Sequence, residues 1–331
     1  MPDSRWAPEI SEDIFEPDIE IVDSHVHFWD APHPSYLIDD LIGDCISGHR
    51  VTQTIYVEDA WRWDQHGVQP QYAPLSEVKY VAQAAEESDE RTGPKVAAIV
   101  GYADLRYGDA IGSVLDAMVD AGRGRFVGIR HGTAWDASPD VPLHPYKPGP
   151  RLLDRSDFLR GFRQLAIRDL TFDAWVYHPQ LPELAALART FPETRIIVNH
   201  LGGPLAIGPY AEQRELVQRD WQRGMLELRD CPNVSVKIGG LVMPPLAGGS
   251  GKVTFTSDEI VDNWSERIQL CVEQFGPNRC MFESNFPVDK QWISFVPLFN
   301  AFKRIVSDAT PADQALLFAG TAVDVYRLDR S

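Results

Sequence analysis

With 331 residues, 44% hydrophobic and 24% charged, the chain has the composition of a globular protein, and its length suits a single α/β barrel. A net charge of −17 sets it against nucleic acid and anionic membranes, which it would repel. No apolar run approaches the roughly 20 residues of a membrane span, no leader pattern opens the chain, and Cys45, Cys231, Cys271 and Cys280 are too dispersed for a zinc finger or redox pair.

A cytoplasmic protein with a small-molecule partner, neither nucleic acid nor membrane, is therefore expected; barrels of this size also self-associate, so a homo-oligomer is open. Residues 1–20 are acidic and aperiodic and read as an N-terminal arm, with one domain over 21–331.

The first strongly apolar run is Ile21 to His27. As a strand it would place Asp23, His25 and His27 on one face and Val22, Ser24 and Val26 on the other. A second run, Val51 to Glu58, precedes a helical pattern over Leu75 to Ser88. Val96 to Tyr102 leads to a helix over Asp109 to Ala121, and Phe126 to Arg130 leads, through a proline-rich stretch at 131–155, to a helix over Ser156 to Leu165. Phe172 to His178 and a helix over Leu181 to Thr190 follow, then Arg195 to His200 and Tyr210 to Arg229. Val234 to Ile238 gives way to a Pro/Gly-rich segment at 244–252, read as a mobile lid, and a helix over Thr256 to Phe275; Met281 to Asn285 and a helix over Trp292 to Val306 complete the pattern. Eight strand-like runs alternating with helices predict a (β/α)8 TIM barrel, α/β in class and a single domain with the arm laid over it.

Barrel enzymes collect their sites at the C-terminal strand ends. The predicted strands end in His27, Glu58, Arg130, His178, His200, Lys237 and Asn285, and polar groups converging at one end of a barrel suit a ligand site. Neutral imidazole is both a metal ligand and a base near neutral pH. Trp29, Trp61, Trp63, Trp135, Tyr146 and Tyr177 fall near the predicted mouth, where they could stack on a ring or simply pack.

Five stretches carry a family likeness: Asp23-Ser24-His25-Val26-His27-Phe28-Trp29, Tyr177-His178-Pro179-Gln180-Leu181, Asn199-His200-Leu201-Gly202-Gly203-Pro204, Val236-Lys237-Ile238-Gly239-Gly240-Leu241 and Ser284-Asn285-Phe286-Pro287-Val288-Asp289. Together they resemble the amidohydrolase-related family of TIM-barrel metal-dependent hydrolases, in the branch of the sugar lactonases and the pyrone dicarboxylate lactonase. The resemblance implies a His-x-His at His25 and His27, a strand-six histidine at His200 and, in metal-dependent relatives, a strand-five ligand at His178. It also implies an aspartate at the end of strand eight, where this chain has Asn285. An amide accepts no proton near neutral pH and offers a metal one neutral oxygen. Glu283, two residues earlier on the same predicted face, and Asp289, four residues later, are the carboxylates at hand; a buried Glu283 bonded to Lys237 or Arg130 is the structural alternative.

The expected activity is hydrolysis of a lactone or similar cyclic ester. His25, His27 and His200 would orient the carbonyl or water, and Glu283, Asp289 or His178 would take the missing aspartate's role as base. Arg130 and Lys237 would hold a carboxylate or polarise the carbonyl, and Glu58, Trp29, Tyr177 and Asp289 would line the substrate. The cofactor is either none or one divalent metal, zinc foremost, on His25, His27 and His178. A zinc-dependent decarboxylase or other C–C or C–N hydrolase of the superfamily is the second reading, and a non-catalytic barrel that binds a small ligand is the third.

Overall fold

Eight parallel strands run in sequence order around the molecule: β1 Glu20–Val26, β2 Arg50–Val57, β3 Lys95–Gly101, β4 Phe126–Arg130, β5 Thr171–Ala174, β6 Ile196–Val198, β7 Val234–Ile238 and β8 Cys280–Phe282. The computed structural model describes residues 6–30, 34–64, 66, 68–142, 146–248 and 254–329. Helices α1 Ile38–Cys45, α2 Leu75–Asp89, α3 Gly112–Ala121, α4 Ser156–Ile167, α5 Leu181–Thr190, α6 Arg214–Arg229, α7 Pro244–Ala247, α8 Ser257–Phe275, α9 Phe295–Ile305, α10 Pro311–Ala315 and α11 Thr321–Tyr326 lie between and after the strands.

This is the predicted TIM barrel, a single domain of eight parallel strands, nearly closed. Two apolar layers hold it. An outer layer sets strand residues such as Ile21, Val26, Ile99 and Phe172 against the helices. An inner layer packs Val22, Ile55, Val57, Ala98, Val100, Ile197 and Met281 on one another, with Ala322 and Tyr326 brought in by α11. Strands covered on both faces need apolar residues on both, which explains their near-continuous β-branched runs.

Strict alternation along β1 does not hold. Val22 belongs to the inner layer and Val26 to the outer, and the register with β2 slips between Asp23 and Val26. An irregularity of this kind re-aims side chains within a strand. It leaves the Asp23 carboxylate on backbone N–H groups: Oδ1 accepts from Ser284 at 2.8 Å and, at 3.4 Å, from His25.

Strands β5, β6 and β8 are shorter than their apolar runs. His178 sits in a 3₁₀ turn, His178–Gln180, and His200 in another, His200–Gly202. Pro179 has no N–H for a ladder, and His200 and Leu201 both have left-handed backbone, φ +52° and +53°, which ends the extended run.

Four helices fall outside the predicted set: α1, α7, α10 and α11. The start of α10 was readable, because Thr310 caps it by accepting from Asp313 N–H and Pro311 takes its first position. The segment read as a lid begins as the short helix α7, while residues 249–253 and 143–145 lie outside the described residues. Residues 6–19 run along the barrel. Ala7 N–H donates to Lys290 O at 2.9 Å, Phe15 N–H to Asn300 Oδ1 at 2.9 Å, and Lys303 Nζ to Glu16 O at 2.6 Å.

The circuit closes between β1 and the segment after β8. Asn285 N–H donates to His25 O at 3.0 Å and His27 N–H to Phe286 O at 2.7 Å. The seam of the barrel thus runs through the residues with the strongest chemical claim.

Candidate active site

His25 and His27 leave the end of β1 on one side of the seam, Asn285 stands on the other, and all three are at most 2% exposed. The His25 and His27 Nε2 atoms are 3.1 Å apart, and Asn285 Oδ1 is 3.3 Å from His27 Nε2.

The far sides of the rings assign their tautomers. Val57 O lies 2.8 Å from His27 Nδ1, and a carbonyl only accepts, so Nδ1 carries the hydrogen and Nε2 a lone pair. Arg130 Nη1, which only donates, lies 3.3 Å from His25 Nε2, so that nitrogen is also an acceptor. His25 Nδ1, which then carries the ring's hydrogen, faces Glu283 Oε2 at 2.8 Å but out of line for a hydrogen bond.

Two ring lone pairs and an amide oxygen therefore converge. Burial is the main force holding both imidazoles well below their ordinary pKa, with cationic neighbours, Lys237 for His25 and Arg130 for His27, adding to it. Neither ring gains a proton near neutrality, and facing acceptors repel unless an electrophile lies between them. Neutral imidazole nitrogens and an amide oxygen are donors a divalent cation accepts, and at His25 such a cation would take the lone pair that now faces Arg130 Nη1.

Glu283 joins the other pair of histidines. His200 Nδ1 donates to Glu283 Oε1 at 2.6 Å, and the backbone N–H of His200 reaches the same oxygen at 3.2 Å. The expected alternative partners are engaged elsewhere, so Glu283 clamps His25 and His200 rather than Lys237 or Arg130. Among the described residues, the one trio of histidine, cysteine or carboxylate groups whose ligand atoms lie within 4.8 Å of one another is His25, His200 and Glu283. His178 is outside it. Its Nδ1 accepts from Leu205 N–H at 3.3 Å and its ring meets Tyr210 edge-on at 5.1 Å.

The sequence carries a signal for the Glu283 clamp that residue chemistry alone passes over. Gly239 and Gly240 follow β7, and a Cβ at Gly239 would come within 2.3 Å of Glu283 Cγ, while one at Gly240 would come within 2.5 Å of His200 Nδ1. The pair of glycines makes room for the pair of acid–base side chains. Gly240 also has φ +64°, which glycine adopts at little cost.

Neither expected cation is free to meet a substrate. Arg130 Nε donates to Glu58 Oε1 at 2.6 Å and Nη2 to Glu58 O. Burial opposes this guanidinium's charge, yet the Glu58 carboxylate holds it more firmly protonated than usual. Lys237 Nζ, fully buried, donates to Asp173 Oδ2 at 2.7 Å. Asp173 also accepts from Tyr326 Oη, at 2.7 and 2.9 Å, and from Asn199 Nδ2 at 3.0 Å. Lys237 thus belongs to a polar knot inside the barrel, closed by α11, which the strand pattern alone did not reveal.

Asp289 stands behind Asn285. Its Oδ1 accepts from Asn285 Nδ2 at 2.9 Å, which turns the amide oxygen toward His27. Burial pushes Asp289 up to about 8 and Asp23 up to about 7. Asn285, like His200 and Leu201, has left-handed backbone, φ +57°, and such conformations in non-glycine residues cluster at functional sites.

Of the aromatic residues, Tyr146 reaches Glu58 Oε2 through its hydroxyl, and Trp63 stacks on it with centroids 5.5 Å apart and planes 2° from parallel. Tyr177 Oη donates to Pro142 O at 3.1 Å. Trp29 is buried in the outer apolar layer and exchanges backbone hydrogen bonds with Tyr36 at 3.0 and 2.8 Å, a packing role.

Residues 22–328 match the model of the family described as Amidohydrolase. The protein y4mH of Sinorhizobium fredii is 29% identical, over 94% of this chain and 99% of its own. An L-fucono-1,5-lactonase of Burkholderia multivorans is 27% identical, over 93% of this chain and 96% of its own. Among solved structures, an amidohydrolase from Burkholderia multivorans with bound zinc superposes with a TM-score of 0.71 at 23% identity, covering 93% of this chain and 99% of that one. No helix among the described residues is long and apolar enough to cross a membrane.

Proposed function

The chain belongs to the amidohydrolase family, and from that premise we propose that it hydrolyses a lactone or similar cyclic ester, with His200 as the base and Glu283 as the group that positions it. The observation carrying this reading is the 2.6 Å contact between His200 Nδ1 and Glu283 Oε1, which leaves Nε2 of His200 as the basic nitrogen. The likeness to L-fucono-1,5-lactonase supports the substrate class.

His200 takes a proton from water as its oxygen bonds to the lactone carbonyl carbon, and returns that proton to the ring oxygen as the acyl C–O bond breaks. Glu283 stabilises the imidazolium formed in between without taking the proton itself. Asn285 cannot replace His200 here, because its amide is no base near neutrality. His25, His27 and Asn285 would hold a divalent cation, for which the zinc-bound structural neighbour makes zinc the first choice, and such a cation polarises a carbonyl.

The test is turnover on a panel of aldonolactones followed by acid release, comparing wild type with His200→Ala and Glu283→Gln. Loss of at least 100-fold in kcat for both supports the assignment. Full turnover in both variants on the best substrate refutes it.

A further inference from the structure

We propose that the chain carries a second ligand site, sharing no residue with the histidine cluster, that binds the phosphate monoester of a small, partly apolar molecule. The proposal stands apart from the hydrolase reading.

The site is a cleft of about 700 Å³ between the loop after β2, one face of α2 and the C-terminal end of α3, a volume that suits a small ligand. Arg62 and Trp63 line it from the loop, Lys79 and Tyr80 from α2, and Ala121 and Arg123 from the end of α3. Its described lining holds three cations, Arg62, Lys79 and Arg123, and no carboxylate, on a chain whose net charge is −17. A cleft charged against the rest of the surface concentrates anions.

These cations have donors to spare. Lys79 is exposed and has no carboxylate partner among the described residues. Arg62 Nη2 donates to Asp30 Oδ2 at 2.6 Å, and Arg123 Nη1 to Glu86 Oε2. All four side chains of these two pairs are more than a third exposed, so the pairs contribute little, and each occupies one nitrogen of a guanidinium that has five N–H groups. The Arg62 guanidinium also lies over Tyr80, 4.2 Å from the ring centroid, and over Trp61 at 4.8 Å, which holds it in place before a ligand arrives.

Phosphate is the anion that such a set suits. Its oxygens accept paired bonds from a guanidinium, and near neutrality a monoester carries a second negative charge that a carboxylate lacks. The cleft is far larger than a phosphate ion, and Trp63, Tyr80 and Ala121 supply its apolar part, so the ligand brings an apolar body with its phosphate. Trp63 is fixed as part of that wall, because its Nε1 donates to Glu77 Oε2 at 2.6 Å.

The experiment titrates the full chain by calorimetry, at neutral pH and low salt, with phenyl phosphate, inorganic phosphate and benzoate. Phenyl phosphate is expected to bind at least fivefold tighter than either of the others, which separates the ester from the free ion and the phosphate from a carboxylate. Lys79→Gln and Arg123→Gln should each weaken it at least fivefold. Arg219→Gln, which removes an exposed cation of α6 outside the cleft, should leave it unchanged, and unaltered melting of all three variants shows that the fold is kept. The proposal is overturned if phenyl phosphate does not bind, if it binds no tighter than phosphate or benzoate, if its affinity is unchanged in Lys79→Gln or Arg123→Gln, or if it falls as far in Arg219→Gln.

Discussion

Glu283 grips His200 by its Nδ1 at 2.6 Å and so leaves Nε2 as the ring nitrogen turned away from the carboxylate. Replacing Glu283 with Gln keeps the size and removes the charge. It is expected to lower kcat roughly 100-fold or more while KM stays within about threefold, the pattern of a group that acts in the transition state. Adding His200→Ala to Glu283→Gln should cost little further, since the two work as a unit. Steady-state kinetics of the two single variants and the double variant check this; additive losses would contradict it.

Asn285→Asp sets two carboxyls side by side where the amide now donates to Asp289 at 2.9 Å. Such a pair is stable only while it shares a proton. The variant should melt like wild type at pH 6 and clearly lower at pH 9, and Asp289→Asn in the same background should abolish the difference. The variant should also retain more zinc after dialysis, because an anionic oxygen joins His25 and His27. Scanning calorimetry and metal analysis give both answers.

Burial raises Asp23 from 3.8 to about 7. Its folded-state pKa lies above its unfolded value, so between about pH 4 and pH 7 the native state binds the extra proton, and the stability this brings, complete at low pH, is lost as pH rises through that window. Asp23→Asn should flatten the slope of unfolding free energy there by up to about 1.4 kcal/mol per pH unit, one proton's worth. Urea unfolding at pH 4.5 and 6.5 measures it, and identical slopes in the two proteins would contradict the assignment.

Lys237→Met leaves Asp173 as an uncompensated buried charge, which costs about 3–5 kcal/mol. Denaturant unfolding should show that loss, and Asp173→Asn added to it should recover at least half, since Tyr326 and Asn199 can still donate to the amide oxygen at that position. A loss below about 1 kcal/mol in the single variant would mean that the pair contributes little to the barrel interior.

The barrel was legible because each strand is an apolar run and all but the first are followed by a readable helix, and the mouth residues followed from where those runs stop. His25, His27, His200 and Asn285 were nameable for that reason. What their side chains hold was not, because pairing across a barrel joins residues far apart in the chain: Arg130 with Glu58, Lys237 with Asp173 and Tyr326, and Glu283 with His25 and His200. Nor does alternation survive the slip in β1, where one irregularity sends Val22 and Val26 to different layers. The glycines after β7 are the exception, a local signal of a distant contact, since a small residue in a packed wall implies that something large lies against it.

His200, Leu201 and Asn285 hold left-handed backbone at the candidate site, and for an L-residue this costs of order 1–2 kcal/mol each. A selection for heat resistance alone would therefore favour glycine at these positions, and at His200 and Asn285 it would be rewarded for dismantling the chemistry. Leu201 is where the two aims part: Leu201→Gly relieves the same torsion without touching a reacting group, at the expense of a buried side chain. Durability and turnover therefore compete at two φ angles, those of His200 and Asn285, and thermostable descendants that remain active must find their stability elsewhere in the fold.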